Sequence, residues 1–458
     1  VPPDPRAALV VDLGFGDAGK GLVTDFLVRS LGAGVVVRFN GGAQAGHNVV
    51  APDGRHHTFA QIGAGTFVPG VRTHLAARTA VHPTALGVEA AHLAAIGVPD
   101  ALERLSVDAR ALVITPMHQA GNRLRELGRG AARHGSCGVG AGEAVADAIA
   151  RPDEAIRMGD LRDLPRVRRA LRRLQERKRE DLAAVVRALA DHPAARAERA
   201  VLDDPAVIDR WIDAAAPTLA RVAVVDEGWL GPFLAGPAPV VFEGAQGVLL
   251  DEWAGFHPHT TYSTCTFEGA LEILRTHAFA GDVLRIGVLR TYATRHGDGP
   301  LPTEDASLAP LLPEAHNAEG PWQGPVRRGW PDALLARYAA ACAGGLDAVA
   351  LTHLDDLDRV PAWRACRAYR LARPDARLFE ATTADPHLAT AVRPPADRDL
   401  DRQAALAAAL LGASPVLDPV EWRGEAGADR AIAFFEEALG APVRLASWGP
   451  RATDVRPR

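Results

Sequence analysis

Short apolar runs recur along this chain, and each ends in a polar or glycine-rich loop. Ala8-Leu9-Val10-Val11 reads as a buried strand, and Leu22 to Leu31 reads as a helix. Val35-Val36-Val37-Arg38-Phe39-Asn40 is a second strand. Further strand signals stand at Val240-Val241-Phe242, Val283 to Val288 and Ala348 to Thr352. Over residues 8–115 strands alternate with helical stretches, as a parallel sheet requires. The pattern predicts an α/β fold, with a large, mostly parallel central sheet, helices on both faces and helical insertions. Residues 160–235 read as a helical, charged insertion within one domain spanning 1–458. The region 370–445 reads as peripheral, with a Pro-rich connection at Arg393-Pro394-Pro395. No internal repeat or long linker is visible.

Composition narrows the function classes. At 458 residues the chain can bury a large core, and its net charge of −5 gives no strongly basic balance for nucleic acid. The basic run Arg166 to Leu174 carries helical spacing with acids nearby, so it reads as a solvated helix face. The four cysteines, Cys137, Cys265, Cys342 and Cys366, are far apart without a CxxC, which argues against a disulfide framework or a zinc site. They point to a reducing cytoplasm. The start Val-Pro-Pro-Asp-Pro-Arg is unlike a signal peptide, and no apolar run approaches membrane-spanning length. A cytoplasmic protein with no membrane partner is expected.

The candidate chemistry begins after the first strand. Gly14-Phe15-Gly16-Asp17-Ala18-Gly19-Lys20-Gly21 joins strand to helix. Glycines let backbone N–H groups approach an anion, a helix N-terminus adds positive potential, and Lys20 adds a full charge. This is phosphate-cradling chemistry. Gly21 stands where the usual phosphate-loop pattern has a magnesium-binding hydroxyl, and Asp17 lies within the loop instead. A carboxylate among phosphates needs an intervening cation or a chemical task. The second strand runs into Gly41-Gly42-Ala43-Gln44-Ala45-Gly46-His47. Loops at the carboxyl ends of neighbouring strands can share one crevice, so Asp17 and His47 are expected to face one ligand. Histidine suits proton or charge work near neutral pH.

Taken together, these loops resemble those of adenylosuccinate synthetases. Gly16 to Gly21 is similar to the family's Gly-Asp-Glu-Gly-Lys-Gly, and Gly41 to His47 to its Gly-Gly-His-Asn-Ala-Gly-His. Phe242-Glu243-Gly244-Ala245-Gln246-Gly247 matches a third segment. Thr294-Arg295, with Gly297 to Glu304, resembles Thr-Arg-Val-Gly-x-Gly-Pro-Phe-Pro-Thr-Glu. Leu351-Thr352-His353-Leu354-Asp355 resembles Leu-Thr-Lys-Leu-Asp, and Ser447-Trp448-Gly449-Pro450 resembles Ser-Thr-Gly-Pro. The matches run in order over nearly the whole chain.

The resemblance implies a GTP- and Mg²⁺-dependent ligase, a homodimer in purine biosynthesis. It would phosphorylate the 6-oxygen of IMP or a related nucleotide, and an amine, aspartate by default, would then displace the phosphate. Asp17, His47, Lys20 and Gln246 are implied as catalytic. Asp17 would take the N1 proton and touch Mg²⁺, with the Gly46 carbonyl completing the shell. Gly16, Gly19, Gly21, His353, Asp355, Ser447 and Gly449 are implied for GTP, Asp355 accepting both guanine N–H groups. Gln44, Ser136, Cys137, Arg151, Gln246 and Thr261 are implied for the acceptor nucleotide, Arg151 across a dimer interface.

The largest departure is the amine loop. The family has Gly-Ala-Thr-Thr-Gly-Arg-Arg-Arg-Arg before Thr-Gly-Trp. Here Gly320 to Arg328 lacks the threonine pair and keeps only Arg327 and Arg328, which are implied for the amine substrate and could serve one carboxylate. Two rivals to the standard reaction therefore stand: a divergent paralogue in specialised nucleoside metabolism using another amine or acceptor, and a GTP-binding regulator without catalysis. The retained proton-handling pair argues against the second.

Overall fold

The computed structural model describes residues 5–314, 322–424 and 426–458. Its centre is a ten-stranded sheet. In chain order the strands are β1 (Ala7–Asp12), β2 (Val35–Arg38), β3 (Arg72–Leu75), β4 (Leu105–Asp108), β5 (Ala223–Val225), β6 (Val240–Glu243), β7 (Val283–Arg290), β8 (Ala348–Thr352), β9 (Val443–Ser447) and β10 (Val455–Pro457). In space they run β10-β9-β8-β7-β1-β6-β2-β3-β4-β5. Each neighbouring pair is parallel except β9 with β10. The predicted α/β architecture is therefore observed.

The apolar runs are continuous because both faces of the sheet are covered. Along β1, Ala7, Leu9 and Val11 enter one hydrophobic cluster, while Ala8 and Val10 enter another on the opposite face. The second cluster includes Leu22, Val23, Leu27 and Val28 of α1 (Lys20–Leu31). Helix α1 starts at Lys20, two residues before the apolar pattern begins. Gly19 caps it in the left-handed region, with φ 99°, and Gly32 ends it likewise.

Two stretches differ from the sequence reading. Residues 160–235 are not helical throughout. Four helices, Leu164–Asp181, Ala183–Ala188, Pro193–Asp203 and Val207–Leu219, are followed by β5, the edge strand of the central sheet. Three residues are too few for a periodic signal between charged helices. The region 370–445 is not peripheral in its packing. It shares a four-stranded antiparallel sheet with Trp363–Arg370, and adds helices Leu400–Leu411 and Gly427–Leu439. Trp363, Trp422, Phe434 and Phe435 are buried in the same cluster as Leu9 and Phe242. Its strands are amphipathic rather than wholly apolar: Arg364, Arg367 and Arg370 are exposed while Trp363, Ala365 and Tyr369 are buried. Among the described residues no helix is long and apolar enough to cross a membrane.

Candidate active site

The loops leaving β1, β8 and β9 at their carboxyl ends share a cleft with the Gly41–His47 loop, and its open space is about 1100 Å³. Asp17, Gly19, Lys20, Gly21, Gly46, His47, His353, Asp355, Ser447 and Gly449 all line it. This is where an open parallel sheet binds ligands.

Gly16, Asp17 and Gly19 all take positive φ, at 93°, 60° and 99°. For Asp17, a residue with a Cβ, this is a strained backbone position, and it lines the cleft. Asp12, at the end of β1, holds the loop from beneath. Its carboxylate accepts from Gly14 N at 2.8 Å, Ala18 N at 2.8 Å and Lys20 Nζ at 2.9 Å. Thr352 Oγ1 donates to Ala18 O at 2.8 Å, tying β8 to the same loop. The loop after β6 presses in from the other side. A Cβ on Gly247 would lie 2.2 Å from Gly14 O and 2.4 Å from Gly16 N, so only glycine fits.

Gly21 has its own steric reason. A Cβ there would lie 2.8 Å from Asn48 O and 3.0 Å from both His47 C and His47 Cβ. A Ser or Thr hydroxyl has no room, because the helix start packs directly on the strand carrying His47.

His47 is buried, and its Nδ1 bonds Glu243 Oε1 at 2.6 Å. Glu243 Oε2 accepts from Ala64 N at 3.0 Å. Burial of Glu243 pushes its carboxyl up, but His47 and Arg38 outweigh this and hold it ionised. Burial lowers His47 to about 4, despite Glu243. The imidazole is thus neutral, donates through Nδ1 and presents Nε2, which has no partner among the described residues. Asp17 is likewise held as a carboxylate. Burial alone would raise it, and His296, Lys20 and Arg290 lower it further than burial raises it.

In the loop after β8, His353 has φ 61°. Its Nδ1 bonds Asp356 Oδ2 at 2.9 Å and its Nε2 meets Arg290 Nη2 at 2.7 Å. Burial and Arg290 lower its basicity, so it accepts from Arg290 and donates to Asp356. Asp355 is exposed to the cleft, and burial and then Asp356 raise its carboxyl. Ser447 Oγ donates to Gly449 O at 2.7 Å and shapes the turn after β9.

None of the residues expected at the acceptor is among those lining this cleft. Gln246 has φ 59°, and both its amide atoms are buried without a partner among the described residues. Gln44 Oε1 is orphaned in the same way. Both side chains crowd the Gly41–Gly42 turn, where a Cβ would come within 2.8 Å of Gln246 Oε1 or 2.7 Å of Gln44 Oε1. Ser136 Oγ accepts from Asn122 Nδ2 at 2.9 Å. The amides of Gly135 and Ser136 donate to Glu126 Oε2 at 3.0 and 3.3 Å, so a carboxylate already engages them. Burial pushes the Cys137 thiol up, leaving it neutral. Thr261 is half-buried. Arg151 is exposed at the end of Ala141–Ala150, with no side-chain partner among the described residues.

The two arginines expected for the amine are half-buried and bonded within their own chain. Arg327 Nη1 donates to Gly297 O and Gly299 O at 2.9 and 2.8 Å, and Nη2 pairs with Glu304 at 2.6 Å. Arg328 donates to Leu312 O at 2.6 Å and Val326 O at 2.9 Å. Trp322 packs on Gly138, and the Arg123 guanidinium lies 5.5 Å from its ring centre. Gly320 and Pro321 lie outside the described residues.

Three contributors escaped the sequence reading. Glu243 stood inside a recognised segment without a role. His296, whose Nε2 lies 3.1 Å from Asp17 Oδ2, occupies the valine position of another. Arg290 ends a mostly apolar strand that also carries Arg285, and it is buried and paired with Glu314 at 2.7 Å.

The family model for adenylosuccinate synthetase matches residues 9–456. An adenylosuccinate synthetase of Magnetococcus marinus is 32% identical over 381 residues, covering 82% of this chain and 83% of the relative. One of Salinibacter ruber is 31% identical over 466 residues, covering 98% of each. Among solved structures, the fully ligated adenylosuccinate synthetase of Plasmodium falciparum superposes with a TM-score of 0.78 at 20% identity, covering 99% of this chain and all of that one. Succinoaminodeoxyadenylate synthetase of cyanophage S-2L, bound to dGMP and to dATP as an energy donor, gives 0.58 at 19% identity, covering 99% and 95%. At these identities the two structures speak for the fold alone. The sequence matches and the loops of the cleft together establish that this chain belongs to the adenylosuccinate synthetase family, the GTP-dependent carbon–nitrogen ligases.

Proposed function

We propose that this protein uses GTP to phosphorylate the 6-oxygen of IMP or a closely related purine nucleotide, and that an amine then displaces the phosphate. The observation that carries this reading is the set of unpartnered buried atoms, His47 Nε2, Gln44 Oε1 and both amide atoms of Gln246, beside a carboxylate in a phosphate loop. Buried polar atoms without partners call for a ligand. The reading treats 1–458 as one domain with 160–235 as an insertion.

In this reading Asp17 accepts the N1 proton, which makes the 6-oxygen nucleophilic. That oxygen attacks the γ-phosphorus and GDP leaves. His47 Nε2, fixed by Glu243, binds the moving phosphoryl group, and Lys20 with the loop amides holds the phosphates. Positioning and charge stabilisation account for most of such catalysis. The amine nitrogen then attacks C6 and inorganic phosphate departs. Asp355 selects guanine. Asp17 and the Gly46 carbonyl are hard oxygen donors on one cleft, a set that suits Mg²⁺. Among the described residues no cluster of three or more His, Cys, Asp or Glu could hold a metal, so phosphates and water would complete the shell. When bound, Mg²⁺ neutralises charge on the phosphate oxygens. The unpartnered Arg151 suits a homodimer in which it reaches the other protomer's acceptor. Four free thiols suit a cytoplasmic setting.

The internal bonds of Arg327 and Arg328 favour a second reading for the amine alone, a donor less charged than aspartate. Phosphate release from GTP, with IMP and with or without aspartate, tests both. Turnover that saturates at low aspartate concentration supports standard adenylosuccinate synthesis. Turnover only with another amine supports the second. No GTP turnover with any purine monophosphate and amine rejects the ligase reading.

A further inference from the structure

We propose that His296 is a positioning residue that braces the Asp17 carboxylate from the hairpin carrying Arg327. The inference rests on the reading of Asp17 given above. His296 Nε2 lies 3.1 Å from Asp17 Oδ2, and Nε2–H donates to it. The family pattern it resembles has valine here, which has no donor. The brace is built at both ends. His296 closes the strand Ala293–His296, which pairs with Val326–Gly329, residue 296 opposite Val326. The turn that follows is fixed by Arg327, which binds Gly297 O and Gly299 O, and by the buried Arg295, which binds Asp298 O and Pro300 O at 3.0 Å each.

The hairpin touches the phosphate loop twice. Arg295 stacks its guanidinium 4.3 Å from the Phe15 ring centre, and His296 meets Asp17 two residues further along that loop. Asp17 sits at φ 60°, a strained backbone position, and a fixed side-chain partner helps to hold its carboxylate in place. A rigid hydrogen-bond donor keeps the reacting oxygen where substrate needs it, and catalysis is sensitive to errors of this size.

The test compares His296→Val, which removes the donor, with His296→Gln, whose amide reaches the place of Nε2. Turnover of GTP and IMP with the working amine is measured beside the affinity of a non-hydrolysable GTP analogue and the thermal midpoint. The valine variant is expected to lose about 10- to 100-fold in kcat, as for a lost hydrogen bond to a charged group. KM for GTP and analogue affinity should stay within about threefold, and the glutamine variant should return to within about fivefold of the parent. Valine within about twofold of the parent in kcat, or glutamine as impaired as valine, overturns the proposal. Asp17→Asn is assayed in parallel. If it is inactive while the valine variant is normal, only the brace fails. If it is active, the reading of Asp17 fails. Should the valine variant not fold, His296→Asn, about one bond too short, takes its place against glutamine.

Discussion

Gly21→Ala is the most revealing single change, because it adds one methyl group at a contact that cannot yield. The new carbon would lie 2.8 Å from Asn48 O and 3.0 Å from His47 C and Cβ, two of them backbone atoms. Relieving this requires movements of several tenths of an ångström between α1 and the strand of His47. Overpacking of this kind costs about 1–3 kcal/mol. Alanine returns up to about 1 kcal/mol through helix propensity, so the net cost is about 0–2 kcal/mol. For 458 residues the unfolding entropy is about 1 kcal/mol per kelvin, at roughly 2.1 cal/mol/K per residue. The thermal midpoint should therefore fall by no more than about 2 °C. The kinetic effect should be larger. A 1 Å misplacement costs about 100-fold, and the smaller shift of His47 expected here should cost about tenfold in kcat. Steady-state phosphate release from GTP and IMP with the amine donor, beside a thermal melt, measures both. A kcat within about twofold of the parent would refute the claim that this contact fixes His47.

Other expectations follow from the same geometry. Glu243→Gln should lower kcat about 10- to 100-fold with little change in GTP affinity, because His47 loses its charged partner at 2.6 Å; an equal rise in KM would point to general damage instead. Asp355→Asn should reduce the preference for GTP over ATP by about 10- to 100-fold, and an unmodified protein using both equally would remove Asp355 from base selection. Burial lowers His74 to about 4 where it stacks on Trp229. The unfolded chain, with a pKa of about 6.5, takes up this proton first. Stability from this group is thus full above about pH 6.5 and is lost down to about pH 4, to the extent of about 3 kcal/mol. His74→Gln should make the decline of urea stability over that range shallower, and an unchanged slope would contradict this.

The sequence by itself determined the frame. Continuous apolar strands are readable without context because two-sided burial leaves no polar alternation, and β8 was legible to the residue as Ala348–Thr352. The glycine-rich loops after them were legible too, since close backbone approach to an anion leaves few residue choices. Asp17, Lys20 and His47 were therefore identifiable as one site, and they line one cleft.

Tertiary structure decided what local pattern does not encode. The three-residue β5 is a strand only because β4 offers an edge to pair with. Region 370–445 joins the core through Trp422 and Phe434, scattered among polar residues. Gly21 looked like a missing magnesium ligand, and its reason is the strand of His47 packed against it. Arg327 and Arg328, expected to serve one carboxylate, hold carbonyls of their own chain. Glu243 gained its role 196 positions from His47, and His296 gained its contact across the chain with Asp17. Partners so far apart in sequence leave no periodicity or spacing between them, because only the folded chain sets the distance.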